Sequence, residues 1–459
     1  MAMLNAPSSW TAQDHPGPAA GSRPPEIIDA GRVQAQPMLP AQRPPATIAA
    51  VAIPENFLAS LLIKHAFYLE VFTLPDMTSR LKLNSALVMH LIDYLRREKY
   101  VEVKGSASLN GAATAISQNY RYALTEGGKR RAAQLFEFDN YVGPVPVTLE
   151  EYCQQVEGQS IRDQRVQPEG LQAGFNGLII APDLLDQLGP ALGSGKPIFI
   201  YGPPGNGKTA ISLRLGSVLD DPIMVPYALY VEGNVIRVFD EVTHRPVAGE
   251  SGSILKADPR WIKCHRPAVL VGGEMTLEML DLNFNPILKF YEAPLQLKAN
   301  NGLFIVDDFG RQRIAPQELL NRWIIPMENH RDFLCLHTGQ KFAIPFDQVL
   351  IFSTNLEPET LVDAAFLRRL RYKIKLNHIN REQFHAIFQL VCQNYEVEYT
   401  QEVVEYLLKT YYDPVDRPMD ACHPRDLVEQ IIDWARYRDE APVLSRENID
   451  QACKTYFVD

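Results

Sequence analysis

The sequence predicts an α/β fold, a parallel sheet with helices on both faces, preceded by a small helix-rich module and followed by a helical region. Three observations carry this. From residue 173 to 376, short apolar runs alternate with helical periods, the pattern of a parallel sheet covered on both faces. One run, "IFIY" at Ile198–Tyr201, opens directly into a glycine-rich loop and then a helix. Another, "LFIVDDFGR" at Leu303–Arg311, stays apolar until it ends in two adjacent acids, which is how a buried parallel strand brings carboxylates to a sheet edge.

Composition bounds the rest. A chain of 459 residues exceeds one ordinary core, so two or three domains are expected. The formal net charge of -10 argues against broad affinity for nucleic acid or an acidic membrane, while leaving room for a local basic patch. The six cysteines, Cys153, Cys264, Cys335, Cys392, Cys422 and Cys453, include no C-x-x-C pair and read as reduced structural thiols. Cys422 beside His423 has no further ligand at metal spacing. No run approaches the roughly 20 apolar residues of a membrane span. The amino terminus lacks the basic-then-apolar pattern of a signal peptide. A soluble cytoplasmic protein without membrane contact is expected.

Residues 1–50 are rich in Pro, Ala and Gln, as in "QPMLPAQRPP", and bury too little apolar surface to offset their ordering entropy; they read as a disordered tail. Residues 51–140 change character. "ENFLASLLIKHAFYL", "TLPDMTSRLKL" and "NSALVMHLIDYLRREKYVEVKG" predict three helices, the last running into a strand. After a polar loop, "NYRYALTEGGKRRAAQLFE" adds a strand and a helix capped by Thr125. Three helices followed by a two-stranded wing resemble a winged helix-turn-helix. Residues 141–172 read as a connector, and 377–459 as almost wholly helical.

The strongest chemical signal is "PIFIYGPPGNGKTA". Gly202, Pro203, Pro204, Gly205, Asn206, Gly207, Lys208 and Thr209 form G-x-x-x-x-G-K-[ST] between a strand and a helix, with Ala210 next in the helix. The glycines let backbone N–H groups wrap phosphates, and the helix N-terminus adds its dipole. Lys208 is expected to reach the β- and γ-phosphates, and the Thr209 hydroxyl to coordinate Mg2+. Asp307 is the expected magnesium acid on a neighbouring strand, bound directly or through water.

From Gly174 to the end the chain resembles an AAA+ ATPase, a P-loop NTPase with a C-terminal helical lid. "GFNGLIIAPDLLDQLGPALGSGKPIFIYGPPGNGKT" resembles the family's entry segment and Walker A loop, and "LFIVDD" its Walker B strand. "DQVLIFSTN" resembles sensor 1, which places Asn355 near the γ-phosphate. "VDAAFLRRLRY" resembles the arginine-finger segment, implying Arg368 or Arg369, and "ACHPRDL" resembles sensor 2, implying Arg425. The resemblance implies ATP and Mg2+ as ligands, ATP hydrolysis and, because fingers act across subunits, a homo-oligomeric ring, a hexamer in the family.

The segment between Walker B and sensor 1 reads as a helix, then two β runs around "HTGQ". That layout resembles the pre-sensor-1 hairpin of MoxR-like ATPases and bacterial enhancer-binding activators. Between the Walker motifs, "YALYVEGNVIRVFDE" predicts an inserted hairpin with a Gly-Asn turn.

Where the family carries a catalytic glutamate, this chain has Asp308. Aspartate ends one methylene earlier, about 1.5 Å back unless the backbone compensates. A misplacement of about 1 Å can cost about 10²-fold, so a slow hydrolase is expected. Glu274, in "VLVGGEMT", is the rival acid.

AAA+ rings move a bound partner. Phe284, Phe290 and Tyr291 are the candidate pore aromatics, with core packing as the competing reading. On the presumed recognition helix Asn84–Arg97, Leu87, Val88, Leu91, Ile92 and Leu95 form an inward face, leaving Ser85, Met89, His90 and Asp93 outward at its start. Base readers carry Arg, Lys, Asn or Gln there, and here Arg96, Arg97 and Lys99 sit at the far end. "GGKRR" at Gly127–Arg131 offers phosphate contacts or a solvated helix start. The favoured reading is a chaperone-like remodeller that recruits a protein partner. The alternatives are a DNA-directed ATPase and an ATP-gated scaffold with little turnover.

Overall fold

The computed structural model describes residues 39–106, 120–248, 257–361 and 364–457. The predicted tail up to residue 38 and the polar loop before Tyr120 lie outside the described residues. At its centre is a five-stranded sheet in the order Ala268–Val271, Leu303–Val306, Val349–Thr354, Ile198–Tyr201, Tyr372–Lys375, parallel at every pairing. The three inner strands are buried nearly throughout because both faces are covered, whereas the edge strands Ala268–Val271 and Tyr372–Lys375 alternate. On one face Phe199, Phe304 and Phe352 pack with Trp323 of the helix Pro316–Asn329. On the other, Ile198, Ile305 and Ile351 meet Leu188 and Leu215 of the helices Pro182–Gly193 and Lys208–Val218. The register matters for the site. Val306 lies opposite Phe352, and Thr354 opposite Tyr201, so the loops after three strands leave from one edge.

A second, mixed sheet carries the insertion between the two acid-and-glycine motifs. Its order is Asn283–Asn285, Phe290–Glu292, Asn234–Arg237, Ala228–Val231, Val147–Thr148. The predicted hairpin is there, but its turn is centred on Glu232 and Gly233, both at positive φ (48° and 83°), with Asn234 already in the strand. Two positive φ values match the right-handed twist of a tight hairpin. Phe290 and Tyr291 are core residues of this sheet, and Phe284 stacks on His337. The "HTGQ" turn joins the antiparallel strands Arg331–Cys335 and Lys341–Pro345.

Two boundaries differ from the sequence reading. The 141–172 connector is part of the core: Val147–Thr148 pairs with Ala228–Val231, and the helix Leu149–Gly158 buries Tyr152 and Val156. The tail ends before residue 50: Ala41 is fully buried and its N–H donates to Gln155 Oε1 at 3.0 Å.

Residues 55–138 form the helices Glu55–Leu69, Leu74–Leu81, Ser85–Arg97 and Glu126–Phe138 around an antiparallel sheet, Val71–Phe72, Tyr120–Leu124, Val101–Ser106. Asn84 and Thr125 cap their helices through Leu87 N and Gly128 N. Leu87, Val88, Leu91, Ile92 and Leu95 all point inward, and their cluster runs on into Ala228, Val235 and Phe290 of the insertion. The C-terminal helices Arg381–Asn394, Gln401–Leu407, His423–Arg438 and Arg446–Tyr456 enclose their own core around Phe384, Phe388 and Leu427. Among the described residues, no helix is long and apolar enough to cross a membrane.

Candidate functional site

The loop Gly202–Gly207 leaves the sheet edge and delivers Lys208 as the first residue of a helix. Gly205 and Gly207 both sit at φ 78°, a backbone that favours glycine. A side chain at Gly205 would strike Cys422 Sγ at 2.7 Å, because the helical region lies directly over it, whereas one at Gly207 would meet nothing within 4 Å. The loop is therefore roofed on one side and open on the other.

Lys208 is buried, and its Nζ donates to the loop's own carbonyls, Gly202 O at 3.0 Å and Pro203 O at 2.7 Å. Burial holds its ammonium below the ordinary lysine range, against the pull of Asp308, Asp307 and Asp420. Among the described residues, no carboxylate comes within ion-pair distance of it. Next along the helix, Thr209 Oγ1 donates to Asp307 Oδ2 at 2.7 Å. A hydroxyl and a carboxylate this close, beside an open loop, are a donor set that fits Mg2+ completed by water and phosphate oxygens. Ala210 is exposed beside them.

Asp308 is exposed, with φ at 49°, and Asn355 Nδ2 donates to its Oδ1 at 3.4 Å. Sequence-distant residues thus converge: Lys208 and Thr209, Asp307 and Asp308, and Asn355. Glu274 instead accepts Gly272 N at 2.9 Å, and that backbone bond holds its carboxyl below the ordinary range.

The predicted arginines stand apart. Arg369 Nε reaches Glu328 Oε1 at 2.6 Å, whereas Arg368 is exposed and has no ion-pair partner among the described residues. Arg425, at the start of its helix, is exposed and bonded to the neighbouring Asp426. The helical region instead touches the loop through Asp420, which the sequence did not single out, and through Ala421 and Cys422 of the "ACHPRDL" segment. Asn206 Nδ2 donates to Asp420 Oδ1 at 2.7 Å, Ala421 N to Asn206 Oδ1 at 3.2 Å and Cys422 N to Gly205 O at 2.9 Å. His378 Nδ1 also meets Asp420 Oδ1 at 2.7 Å. These contacts span more than the whole central sheet in sequence, and no local pattern announces them.

The family described as a domain of unknown function (DUF8689) matches residues 380–455, which is the helical region. No curated protein matches the chain. Among solved structures, it is similar to the K64R mutant of Thermotoga maritima RuvB, with 14% identity over 61% of this chain and 71% of that one and a TM-score of 0.36. It is similar to domain III of the Thermotoga maritima replication initiation protein DnaA at 13% identity, covering 64% of this chain and 100% of that one, TM-score 0.36. It is also similar to NtrX from Brucella abortus at 13% identity, covering 60% and 55%, TM-score 0.38. Similarities of this size fix neither an activity nor a partner.

Proposed function

We propose that this chain is an ATP-hydrolysing AAA+ protein that works as a homo-oligomeric ring, a hexamer, and remodels a protein partner. One observation carries the hydrolase reading: a buried lysine with no carboxylate at ion-pair distance among the described residues stands beside a hydroxyl–carboxylate pair and a second acid bonded to an asparagine. In this reading 51–140 is a winged helix, 173–376 the nucleotide-binding domain and 377–459 its lid. The hairpin Arg331–Pro345 ahead of the Asn355 strand supports placement with the MoxR-like, pre-sensor-1 hairpin group.

The roles follow from placement. Backbone N–H groups of Gly205 to Thr209 and the helix N-terminus receive the phosphates. Lys208 exchanges two neutral carbonyl acceptors for phosphate oxygens, a stronger charge-assisted bond. Thr209 and Asp307 hold Mg2+, which when bound neutralises phosphate charge. Asp308 takes the proton of the attacking water, and Asn355 holds that carboxylate and the water in line. Arg368, exposed, reaches the neighbouring subunit's nucleotide.

For the recruiting surface, the outward face of Ser85–Arg97 supports a protein partner over DNA. His90 Nε2 is bonded to Glu55 Oε1 at 2.8 Å and Arg96 to Asp93 at 3.1 Å, so its polar groups are matched within the module.

The test is steady-state ATP hydrolysis against protein concentration for wild type, Lys208→Ala and Asp308→Asn. Turnover that rises with concentration and falls in both variants supports the assembled hydrolase. Tight ATP binding without turnover, unchanged by Asp308→Asn, leaves a scaffold and overturns the motor.

A further inference from the structure

Asp308 raises a problem that its neighbours answer. Its carboxylate is one methylene shorter than glutamate, and its backbone at φ 49° lies in a region where Asp and Asn are enriched over longer side chains. Something must hold the chain in that turn. Directly after Val306 the chain is hooked to the adjacent strand: Phe309 N donates to Ser353 O at 2.7 Å, and Thr354 Oγ1 donates to Phe309 O at 2.7 Å. The Phe309 ring is buried against Phe352, with ring centroids 5.0 Å apart. Arg311 N closes a turn on Asp308 O at 2.9 Å. Three backbone groups of the turn are also held by one side chain. Gln312 Nε2 donates to Asp307 O at 2.8 Å and to Asp308 O at 3.2 Å, while its Oε1 accepts Gly310 N at 2.8 Å.

We infer that Gln312 is a positioning residue for Asp308, whose amide clamps the left-handed turn that aims the short carboxylate at Asn355. The inference rests on the hydrolase reading proposed above. Both Walker B acids carry a backbone carbonyl bonded to the same amide, so losing it loosens Asp308 without removing any group that touches nucleotide. Asp308 is then set by its backbone rather than by side-chain length, and lengthening it gains nothing.

The experiment is a double-mutant cycle on the full chain, Gln312→Ala and Asp308→Asn singly and together, with Gln312→Met as a variant that keeps the packing and loses the amide. Single-turnover ATP hydrolysis, affinity for a fluorescent ATP analogue and amide hydrogen exchange at Phe309 and Gly310 are measured for each. Gln312→Ala and Gln312→Met are expected to lower hydrolysis about 10- to 100-fold. Analogue affinity stays within about threefold, the turn exchanges faster, and Gln312→Ala costs nothing further once Asp308 is Asn. Asp308→Glu is expected not to exceed wild type. Unchanged hydrolysis or exchange in the Gln312 variants, or losses that multiply with Asp308→Asn, would overturn the positioning role while leaving the ATPase standing. Absence of turnover in the wild type removes the hydrolase reading and this inference with it.

Discussion

Lys64 and Lys208 are both buried, at 1% and 7% exposure, and burial holds both ammonium groups below the ordinary lysine range. Their surroundings differ. Lys64, in the N-terminal module, donates to Asp139 Oδ1 at 2.6 Å, and that carboxylate also accepts Tyr141 N at 2.9 Å. Lys208, at the sheet edge, donates to two neutral carbonyls. The first lysine completes a local network and closes the fold. The second has, among the described residues, acids near it but none within ion-pair distance, beside a loop open to solvent, and its desolvation cost would be offset by an arriving anion. A buried cation therefore says little by itself; whether its partner is already present separates a structural lysine from a ligand-binding one.

The sharpest way to break this comparison is across subunits. Arg369 resembles Lys64 in having an acid at hand, Glu328, while Arg368 resembles Lys208 in being left available. In an assembled ring, Arg368→Ala is expected to lower turnover by about 10³ to 10⁵, the worth of an arginine finger. Arg369→Ala should cost far less, and mixing Arg368→Ala with Lys208→Ala subunits should restore part of the rate at their shared interfaces. Equal losses from the two arginines would cancel the distinction drawn from Glu328.

The lysines themselves come next. Lys208→Ala should weaken ATP binding about 10- to 100-fold, the loss of a hydrogen bond to charged groups, with little change in the urea midpoint. Lys64→Ala should do the reverse, lowering stability by about 1–3 kcal/mol through the carboxylate it strands while nucleotide affinity holds. Equilibrium unfolding and a fluorescent nucleotide titration separate the two effects.

How much of this was legible in the sequence depends on range. The glycine loop, Lys208, Thr209 and the Asp307 strand could be read directly because backbone chemistry and a buried strand leave local signatures. So could the inward face of Ser85–Arg97, which is a helical period. The contacts that complete the site were not legible. Asn206 with Asp420 joins positions on opposite sides of the central sheet in sequence, and neither residue type announces a partner. The 141–172 stretch looked like a linker because a two-residue strand, Val147–Thr148, is too short to show alternation. Ala41 reads as tail in the sequence because one buried alanine cannot shift a composition dominated by proline. Gln312 was invisible for another reason: a glutamine in the loop after a strand looks like any polar loop residue until its three bonds are seen.

His244 extends the comparison to a titrating group. It stands in the insertion, where its Nδ1 accepts Asp240 N at 3.1 Å and its Nε2 meets Lys298 O at 3.0 Å. Burial brings its pKa down to about 4. The neutral ring uses both nitrogens, and a proton on Nδ1 would break the bond from Asp240. The sign follows directly. Between the ordinary histidine range and pH 4 the unfolded chain binds a proton that the folded one refuses, so stability falls as pH falls through that window. One such proton gives a slope of about 1.4 kcal/mol per pH unit. His244→Gln, which keeps an acceptor and a donor, should flatten urea-unfolding stability by that slope between about pH 6 and 5. A variant that keeps the wild-type slope assigns the acid sensitivity to another group.

The smallest expected effect is the one that decides what the N-terminal module recruits. Cations that bind DNA must exchange their partners for phosphates, and each contact releases counterions that make binding steeply salt-dependent. Here Lys129 is held by Glu126 at 2.8 Å, Lys104 by Glu102 at 2.6 Å and Arg96 by Asp93 at 3.1 Å, each like Lys64 already matched within the module. These exposed pairs are weak, but the acids stay beside the cations and repel phosphate wherever the side chains move. The full chain is therefore expected to show no saturable, salt-sensitive binding to a labelled duplex at micromolar concentration, with no change in Arg96→Ala or Lys129→Ala. A binding curve whose logarithm falls steeply with salt, and whose slope shrinks in either variant, would make these cations behave like Lys208 rather than Lys64. It would replace the protein-recruiting reading of the module with a DNA-directed one.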